Sequence, residues 1–206
     1  SCSSVNRAFI CPSFCWADST LIWRSFRGSG HGSHSVIYRP STAQDVNAVF
    51  AITESAVQRL SPSPYAPEVV ATWMANRSPD YYKAACAAGA VWIAELDREP
   101  VGYSQGVPGE ILRLFVASQA SGRGIGRGLM KKALAQALQR ALVGGYTQPV
   151  QETVPSTTRC VRVSSSLGAV CFYQKWGFRE VARGSVPGRE ALPAIEIVRM
   201  EAEFPL

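Results

Sequence analysis

The segment Ser121-Gly-Arg-Gly-Ile-Gly-Arg-Gly128 constrains this chain more than any other, because it sets glycines at alternate positions between two regular elements. On its N-terminal side, Glu110-Ile-Leu-Arg-Leu-Phe-Val116 reads as a strand. On its C-terminal side, Leu129, Met130, Ala133, Leu134, Ala137, Leu138, Ala141 and Leu142 recur at helical spacing and predict a helix over Gly126–Leu142. A glycine loop that runs into a helix lets the backbone approach a ligand closely. The unpaired N–H groups and the macrodipole at the helix start favour an anion there. Charge agrees: no acidic residue falls between Glu110 and Glu152, whereas Arg113, Arg123, Arg127, Lys131, Lys132 and Arg140 do. Flanking Arg123, Arg127, Lys131 and Lys132 add full charges, and pyrophosphate is the natural guest.

Two familiar phosphate loops are excluded. A P-loop needs Gly-Lys-Ser/Thr, and Lys131 is followed by Lys132. The dinucleotide fingerprint G-x-G-x-x-G fails in both frames, since its third glycine falls on Arg127 or on Leu129. The acidic ribose ligand is missing too, because no acid occurs before Glu152.

Composition prunes the chemistry further. With 206 residues, 47% of them apolar and 17% charged, the chain can build a full core in one domain. Its only histidines are His31 and His34, so Ser-His-Asp, Cys-His and histidine-metal sites are excluded from Ser35 onward. The pair Cys11-x3-Cys15 and His31-x2-His34 lacks zinc-finger spacing, and no metal is expected. Cys86, Cys160 and Cys171 lie in apolar surroundings and read as small buried hydrophobes. Net charge is +6, which by its sign alone does not choose among nucleic acid, membrane and phosphorylated small molecules.

Residues 1–34 differ from the rest. They are rich in Ser, Cys, Phe and Trp, carry Arg7, Arg24 and Arg27 against Asp18, and resemble a transit peptide. They are expected to be a leader or extension outside the fold, with the domain spanning 35–206. That domain reads as strands over Ser35–Pro40, Ala90–Leu96, Val101–Gly106, Glu110–Val116, Arg159–Ser164, Phe178–Ala182 and Ile195–Ala202. Helices are predicted from Ser41 to about Leu60, Glu68 to Asn76, Pro79 to Gly89, Gly126 to Leu142 and Leu167 to Trp176. The alternation is that of an α+β fold with one mixed sheet.

At this point the chain resembles the GNAT superfamily of acyl-CoA-dependent N-acetyltransferases. The family's pyrophosphate signature, Gln/Arg-x-x-Gly-x-Gly/Ala, falls on Ser121-Gly-Arg-Gly124-Ile-Gly126, with Ser121 departing from it. Its second signature, Asn-x-x-Ala-x-x-apolar-Tyr followed by Gly-Phe, falls on Ser166-Leu-Gly-Ala169-Val-Cys-Phe172-Tyr173 and Gly177-Phe178, with Ser166 departing. The stretch from Tyr65 to Trp73 is similar to a bacterial small-molecule branch, the YafP-like acetyltransferases.

The resemblance implies a mixed, mostly antiparallel central sheet flanked by helices, with acetyl-CoA as co-substrate. It also implies direct acetyl transfer to a primary amine within a ternary complex. A lysine-like ammonium is neutral in about one molecule in 2,500 at pH 7, so a positioned base helps. Glu110 is that candidate, matching a glutamate of the histone-acetyltransferase branch, and an ordinary strand-end carboxylate is the plainer reading. Tyr173 matches the tyrosine that hydrogen-bonds or protonates the leaving thiolate, while packing beside Phe172 and Phe178 is its plainer reading. The resemblance assigns Leu114, Phe115 and Val116 to the pantetheine arm. Ser121, Gly122, Arg123, Gly124, Ile125, Gly126 and Arg127 are assigned to the pyrophosphate, and Ser166 to the cofactor side. Tyr65, Trp73, Tyr81 and Tyr82 are candidates for lining the acceptor site or for core packing. The acceptor is a small-molecule or peptide amine, with nucleic acid and membrane unexpected. A homodimer and a cytoplasmic location are in keeping with the family. The departures at Ser121 and Ser166 leave one alternative: a catalytically silent acyl-CoA sensor of the same fold.

Overall fold

A computed structural model describes residues 35–75, 77–139, 158–188 and 192–205. The expected leader, both histidines and Arg140 lie outside the described residues. Seven strands form one sheet: β1 (Val36–Pro40), β2 (Trp92–Leu96), β3 (Glu99–Val107), β4 (Glu110–Val116), β5 (Thr158–Ser166), β6 (Arg179–Val186) and β7 (Ile195–Pro205). Their order is β1-β2-β3-β4-β5-β7-β6. The turn between β2 and β3 is made by Asp97 and Arg98 at φ 54° and 70°, the left-handed geometry that suits a two-residue hairpin.

Neighbouring strands are antiparallel except β4 and β5, which run parallel. That parallel ladder covers only Glu110 against Arg162 and Ile111 against Val163. On its other edge β4 stays paired with β3 as far as Val116 opposite Gly102. The two strands therefore part beyond Ile111, and one edge of residues 112–116 has no strand beside it.

Helices cover both faces. Helix α4 (Ile125–Ala137) lays Leu129, Met130, Ala133 and Ala137 on one face of the sheet, all fully buried. It comes so close to β3 that a Cβ on Gly106 would stand 2.2 Å from the Ala133 carbonyl oxygen. Gln136 fixes this seat by accepting from the Gly106 N–H at 2.9 Å and donating to the Ala90 carbonyl at 2.9 Å. On the opposite face α1 (Val46–Gln58) packs Val49 and Ile52 against Tyr82, Tyr103 and Phe115. Helix α2 (Pro67–Met74) contributes Val70 to a cluster with Val57, Tyr65, Ile195 and Ile197. The start of α1 is tied to the sheet edge by Arg39, which reaches Asp45 at 2.7 Å and Glu95 at 2.7 Å. Asp45 also closes a capping box with Thr42.

The fold class is the predicted α+β arrangement, with differences in detail. The helix predicted over Gly126–Leu142 runs as Ile125–Ala137 with Leu138 at its cap, and residues 140–142 lie outside the described residues. The segment Pro79–Gly89 splits into a 3-10 turn (Pro79–Tyr82) and a short α3 (Lys83–Ala87), and Gly89 ends it at φ 63°. The helix predicted over Leu167–Trp176 is a 3-10 turn followed by α5 (Val170–Gln174). The last two strands run further than their apolar residues indicated, because backbone pairing continues through polar positions, of β6 with β7 and of the end of β7 with β5. Cys86 is buried as expected, whereas Cys160 and Cys171 are exposed. Apolar sequence neighbours did not place those two inward, because strand and helix periodicity turned them toward solvent.

Candidate active site

The glycine loop takes the shape its composition allows. Gly122 and Gly124 sit at φ 81° and 79°, a region that other residues enter only at a cost. Gly124 is the N-cap of α4, which has no side-chain cap and no acidic residue in its first turn. Its leading N–H groups are thus left for a ligand or for water. Ser121, Gly122, Arg123, Gly124 and Arg127 are exposed, while Ile125 is buried and anchors the loop. Gly126 lies 3.6 Å (as a built Cβ) from the Phe172 ring, so any larger side chain would press on α5. Tyr38 of β1 fills the space over Gly128 and donates its hydroxyl to the Ile125 carbonyl at 3.2 Å.

The basic residues do not gather as one group. Arg123, Arg127 and Lys131 stand exposed at the loop and the first turns of α4. The Lys132 ammonium instead lies 4.0 Å from the Trp92 ring centre. Arg113 leaves the loop altogether. It lies on the α1 side of the sheet, because residues of β4 alternate between faces and position 113 goes with Phe115 rather than with Leu114 and Val116.

Leu114 and Val116 point to α4, and Phe115 points to the α1 and α2 side, so the three line both flanks of the parted strand edge. Ser166 ends β5, partly buried and opposite Ile197 of β7, and opens the 3-10 turn that leads into α5. Tyr173 lies on α5, buried among Phe172 and Phe178 with ring centres 5.3 Å and 5.7 Å away. Its ring is core, yet its hydroxyl has no hydrogen-bond partner among the described residues. Burial pushes its pKa well above the ordinary tyrosine value, so it stays a neutral donor. Glu110, partly buried, opens β4 where the parallel pairing with β5 still holds, at the closed end of the gap. The nearest cation across that pair, Arg162, points its guanidinium to Glu201 at 3.7 Å.

On the α2 side of the gap lies a cleft of about 570 Å3. Trp73, Arg77 and Tyr81 form one wall, and Leu112, Arg113 and Phe115 of β4 form another. Of the four aromatics proposed for an acceptor site, Trp73 and Tyr81 line it. Tyr65 and Tyr82 are buried structural residues. Tyr65 donates to the Glu196 carbonyl at 2.6 Å and accepts from the Leu167 N–H. Tyr82 shares a hydroxyl contact of 3.1 Å with Thr53 and accepts from Arg77. Arg113 donates from Nη1 to Gln105 at 2.8 Å and stacks over Tyr81 and Tyr82, 4.8 Å and 5.3 Å from their centres. A hydrogen bond from Arg113, with the charges of Arg113 and Arg77 behind it, holds the Tyr81 phenol below the usual tyrosine value. Sequence reasoning missed Arg77 as a lining residue and misplaced Arg113. The one available signal was the i, i+2 relation of Arg113 to Phe115, which puts them on one strand face.

A glycine loop at an uncapped helix start and a parted parallel strand pair are the features in which the structure is similar to the GNAT acetyltransferases. Residues 87–180 match the family model of the acetyltransferase (GNAT) domain, a span that holds every residue proposed above for catalysis or cofactor binding. Over that span the chain is similar to the GNAT N-acetyltransferases. It is 26% identical over 156 residues to the uncharacterized N-acetyltransferase YafP of Escherichia coli (strain K12), covering 75% of this chain and 86% of that one. Its fold is similar to that of a GCN5-related N-acetyltransferase from Rhodopseudomonas palustris, at a TM-score of 0.66 and 23% identity over 85% of this chain and all (100%) of that one. It is also similar to YncA of Salmonella typhimurium, a putative acetyltransferase solved with acetyl-CoA, at a TM-score of 0.55 and 14% identity over 82% and 94% of the two chains.

Proposed function

We propose that this enzyme moves acetyl from acetyl-CoA directly to a primary amine while both substrates are bound. The observation that carries this reading is the parting of β4 from β5 after two residue pairs. It leaves the backbone of residues 112–116 free along one edge, with the glycine loop following β4 and Tyr173 of α5 in the same core cluster as Ile111.

In this reading the N–H groups from Gly122 to Gly126 hold the pyrophosphate, and Arg123 and Arg127 supply the charge that a side chain at Ser121 provides elsewhere in the family. Leu114, Phe115 and Val116 offer backbone groups to the pantetheine arm, and Ser166 borders it from β5. Acetyl-CoA supplies an activated acyl group whose leaving group is a thiolate. Glu110 takes the proton from the acceptor ammonium, through water, from the closed end of the gap. Tyr173 donates a hydrogen bond to the departing sulfur. A phenol near pKa 10 gives its proton to a thiolate near 8.5 only at a cost of about 2 kcal/mol in water. Because burial raises the Tyr173 pKa further, the hydrogen bond outweighs full proton transfer in its contribution.

Family resemblance extends the proposal to a cytoplasmic enzyme, single or homodimeric, that needs no metal and acts on neither nucleic acid nor membrane. Release of CoA, followed with a thiol reagent across a panel of amines, tests the central claim. Acetylated product with at least one amine class supports it. CoA bound but never released, with any amine, favours the silent sensor.

A further inference from the structure

We infer that the acceptor is an amine that also carries an anionic group, a carboxylate or phosphonate, on an otherwise apolar body, and that Arg77 and Arg113 hold that group. The inference rests on the acetyl-transfer reading and narrows its acceptor from amines at large to compounds of the amino-acid kind.

The cleft lies where an acceptor must lie. Ser164 of β5 and Leu112, Arg113 and Phe115 of β4 all line it, so an occupant rests along the same parted strands that receive the acyl group. Both arginines face it, and neither pairs with a carboxylate among the described residues. A guanidinium carries five N–H donors. Arg113 commits one of them, Nη1, to Gln105. Arg77 uses Nε on the Trp73 carbonyl at 3.1 Å and Nη1 on the Tyr82 hydroxyl at 3.2 Å. Arg113 also hydrogen-bonds the Tyr81 side chain, and the donors left over are held in place because both guanidiniums pack over the Tyr81 ring, at 5.4 Å for Arg77 and 4.8 Å for Arg113. A planar donor fork fixed in this way matches the paired oxygens of a carboxylate or phosphonate.

The rest of the lining argues in the same direction. Trp73, Leu112, Phe115, Val186, Ile195 and Ile197 offer apolar surface to a side chain. No aspartate or glutamate lines the cleft among the described residues. A polyamine or an aminoglycoside would bring several ammonium groups against two guanidiniums with nothing to offset them. A single amine gains from the same field, because nearby positive charge disfavours its protonated form and raises the nucleophilic fraction.

The test uses the full chain, acetyl-CoA and matched acceptors: phenylalanine, its aminophosphonate analogue and phenethylamine, then leucine and isopentylamine, with spermidine as the polycation. Expected is a kcat/KM for each acid about 10- to 100-fold above that of its decarboxylated partner. The carboxylate and phosphonate arms decide which oxyacid fits better. Arg113→Gln and Arg77→Gln should bring that ratio toward one, chiefly through KM for the acid, while CoA binding by each variant reports that it has folded. Arg113→Lys should restore part of the preference, because it returns the charge without the fork. The inference is overturned if phenethylamine or spermidine is acetylated as well as phenylalanine. It is equally overturned if Arg113→Gln slows all acceptors alike, since that outcome makes the arginine a support for Tyr81. If no amine at all is acetylated although acetyl-CoA binds, the acetyl-transfer reading itself fails, and this one with it.

Discussion

The loop arginines and the cleft arginines do opposite things with the same charge. Arg123 and Arg127 stand exposed beside an uncapped helix start, among backbone N–H groups that are the principal ligands in the proposed reading. Arg77 and Arg113 are partly buried, tied to a carbonyl, a hydroxyl and an amide, and stacked on tyrosine. The first pair surrounds a site made by chain geometry. The second pair is itself the polar part of its site. One region attracts an anion without prescribing its shape, whereas the other prescribes shape and orientation.

Tyr173 lies between these regions and gives the largest expected effect. If its hydroxyl serves the leaving thiolate, Tyr173→Phe keeps the ring packing against Phe172 and Phe178 and removes one polar atom. Turnover should fall about 100-fold, with KM for both substrates nearly unchanged. Steady-state kinetics with acetyl-CoA and the best acceptor decides it. A phenylalanine variant with native kcat would assign Tyr173 to the core alone.

Acid should loosen the cleft side before the loop side. Asp45 is buried under the start of α1, and the hydrogen bonds from Arg39 hold its pKa down to about 2, against an ordinary 3.8. A depressed carboxylate stabilises the fold above its unfolded pKa, and that contribution is lost as pH falls from about 4 toward 2. It amounts to as much as about 2 kcal/mol. Because α1 carries Val49 and Ile52 onto Tyr82 and Phe115, the loss falls on the elements that shape the cleft. Urea unfolding at a series of pH values should show this slope in the native chain and a flatter one in Asp45→Asn. Equal slopes in both would remove Asp45 from the account.

The two regions also differ in how far they were legible in the sequence. The loop, the strand before it and the helix after it occupy one continuous stretch, so spacing alone placed Gly122, Gly124 and the start of α4. The parting of β4 from β5 was not readable from spacing, because it depends on pairing between segments on either side of residues 140–157; only the family resemblance implied splayed strands along Leu114–Val116. The cleft was legible only in fragments. Trp73 and Tyr81 stood out as aromatics, while Arg113 was counted only as one of the cations of an acid-free interval. Charge counted along the chain ignores the alternation of a strand, and that alternation sent Arg113 to the opposite face from Leu114. The departures at Ser121 and Ser166 were visible. What they leave to neighbouring residues is a question of geometry, and Arg123 and Arg127 stand exposed near Ser121.

Glycine substitutions separate conformational need from close packing. At Gly124 an added Cβ meets nothing within 4 Å, so Gly124→Ala costs only the left-handed backbone, about 1 kcal/mol. At Gly106 the added Cβ would meet backbone at 2.2 Å, so α4 must shift on β3 and the cost is larger, up to about 3 kcal/mol. Thermal unfolding should rank the two in that order. Gly124→Ala should weaken acetyl-CoA binding out of proportion to its small effect on stability, because the strain lies in the ligand loop itself. If both variants lose affinity in step with stability, the loop has no special conformational role.

The smallest effect bears most directly on the contrast between the two arginine pairs. Exposed charges are screened over a Debye length of about 10 Å at 0.1 M salt, whereas partly buried, stacked charges are screened less. Raising salt from about 0.05 M to about 0.5 M should therefore raise KM for acetyl-CoA several-fold and KM for an anionic acceptor by a smaller factor. Replacing both Arg123 and Arg127 with alanine should raise KM for acetyl-CoA at low salt and leave it nearly flat as salt increases. The backbone N–H groups that remain carry no net charge to be screened. Arg113→Gln should leave the salt dependence for acetyl-CoA as it was, because that arginine lies on the other face of β4. Should salt instead act as strongly on the acceptor as on acetyl-CoA, the cleft arginines behave as surface charges, and the stacking that holds them would not govern how they bind.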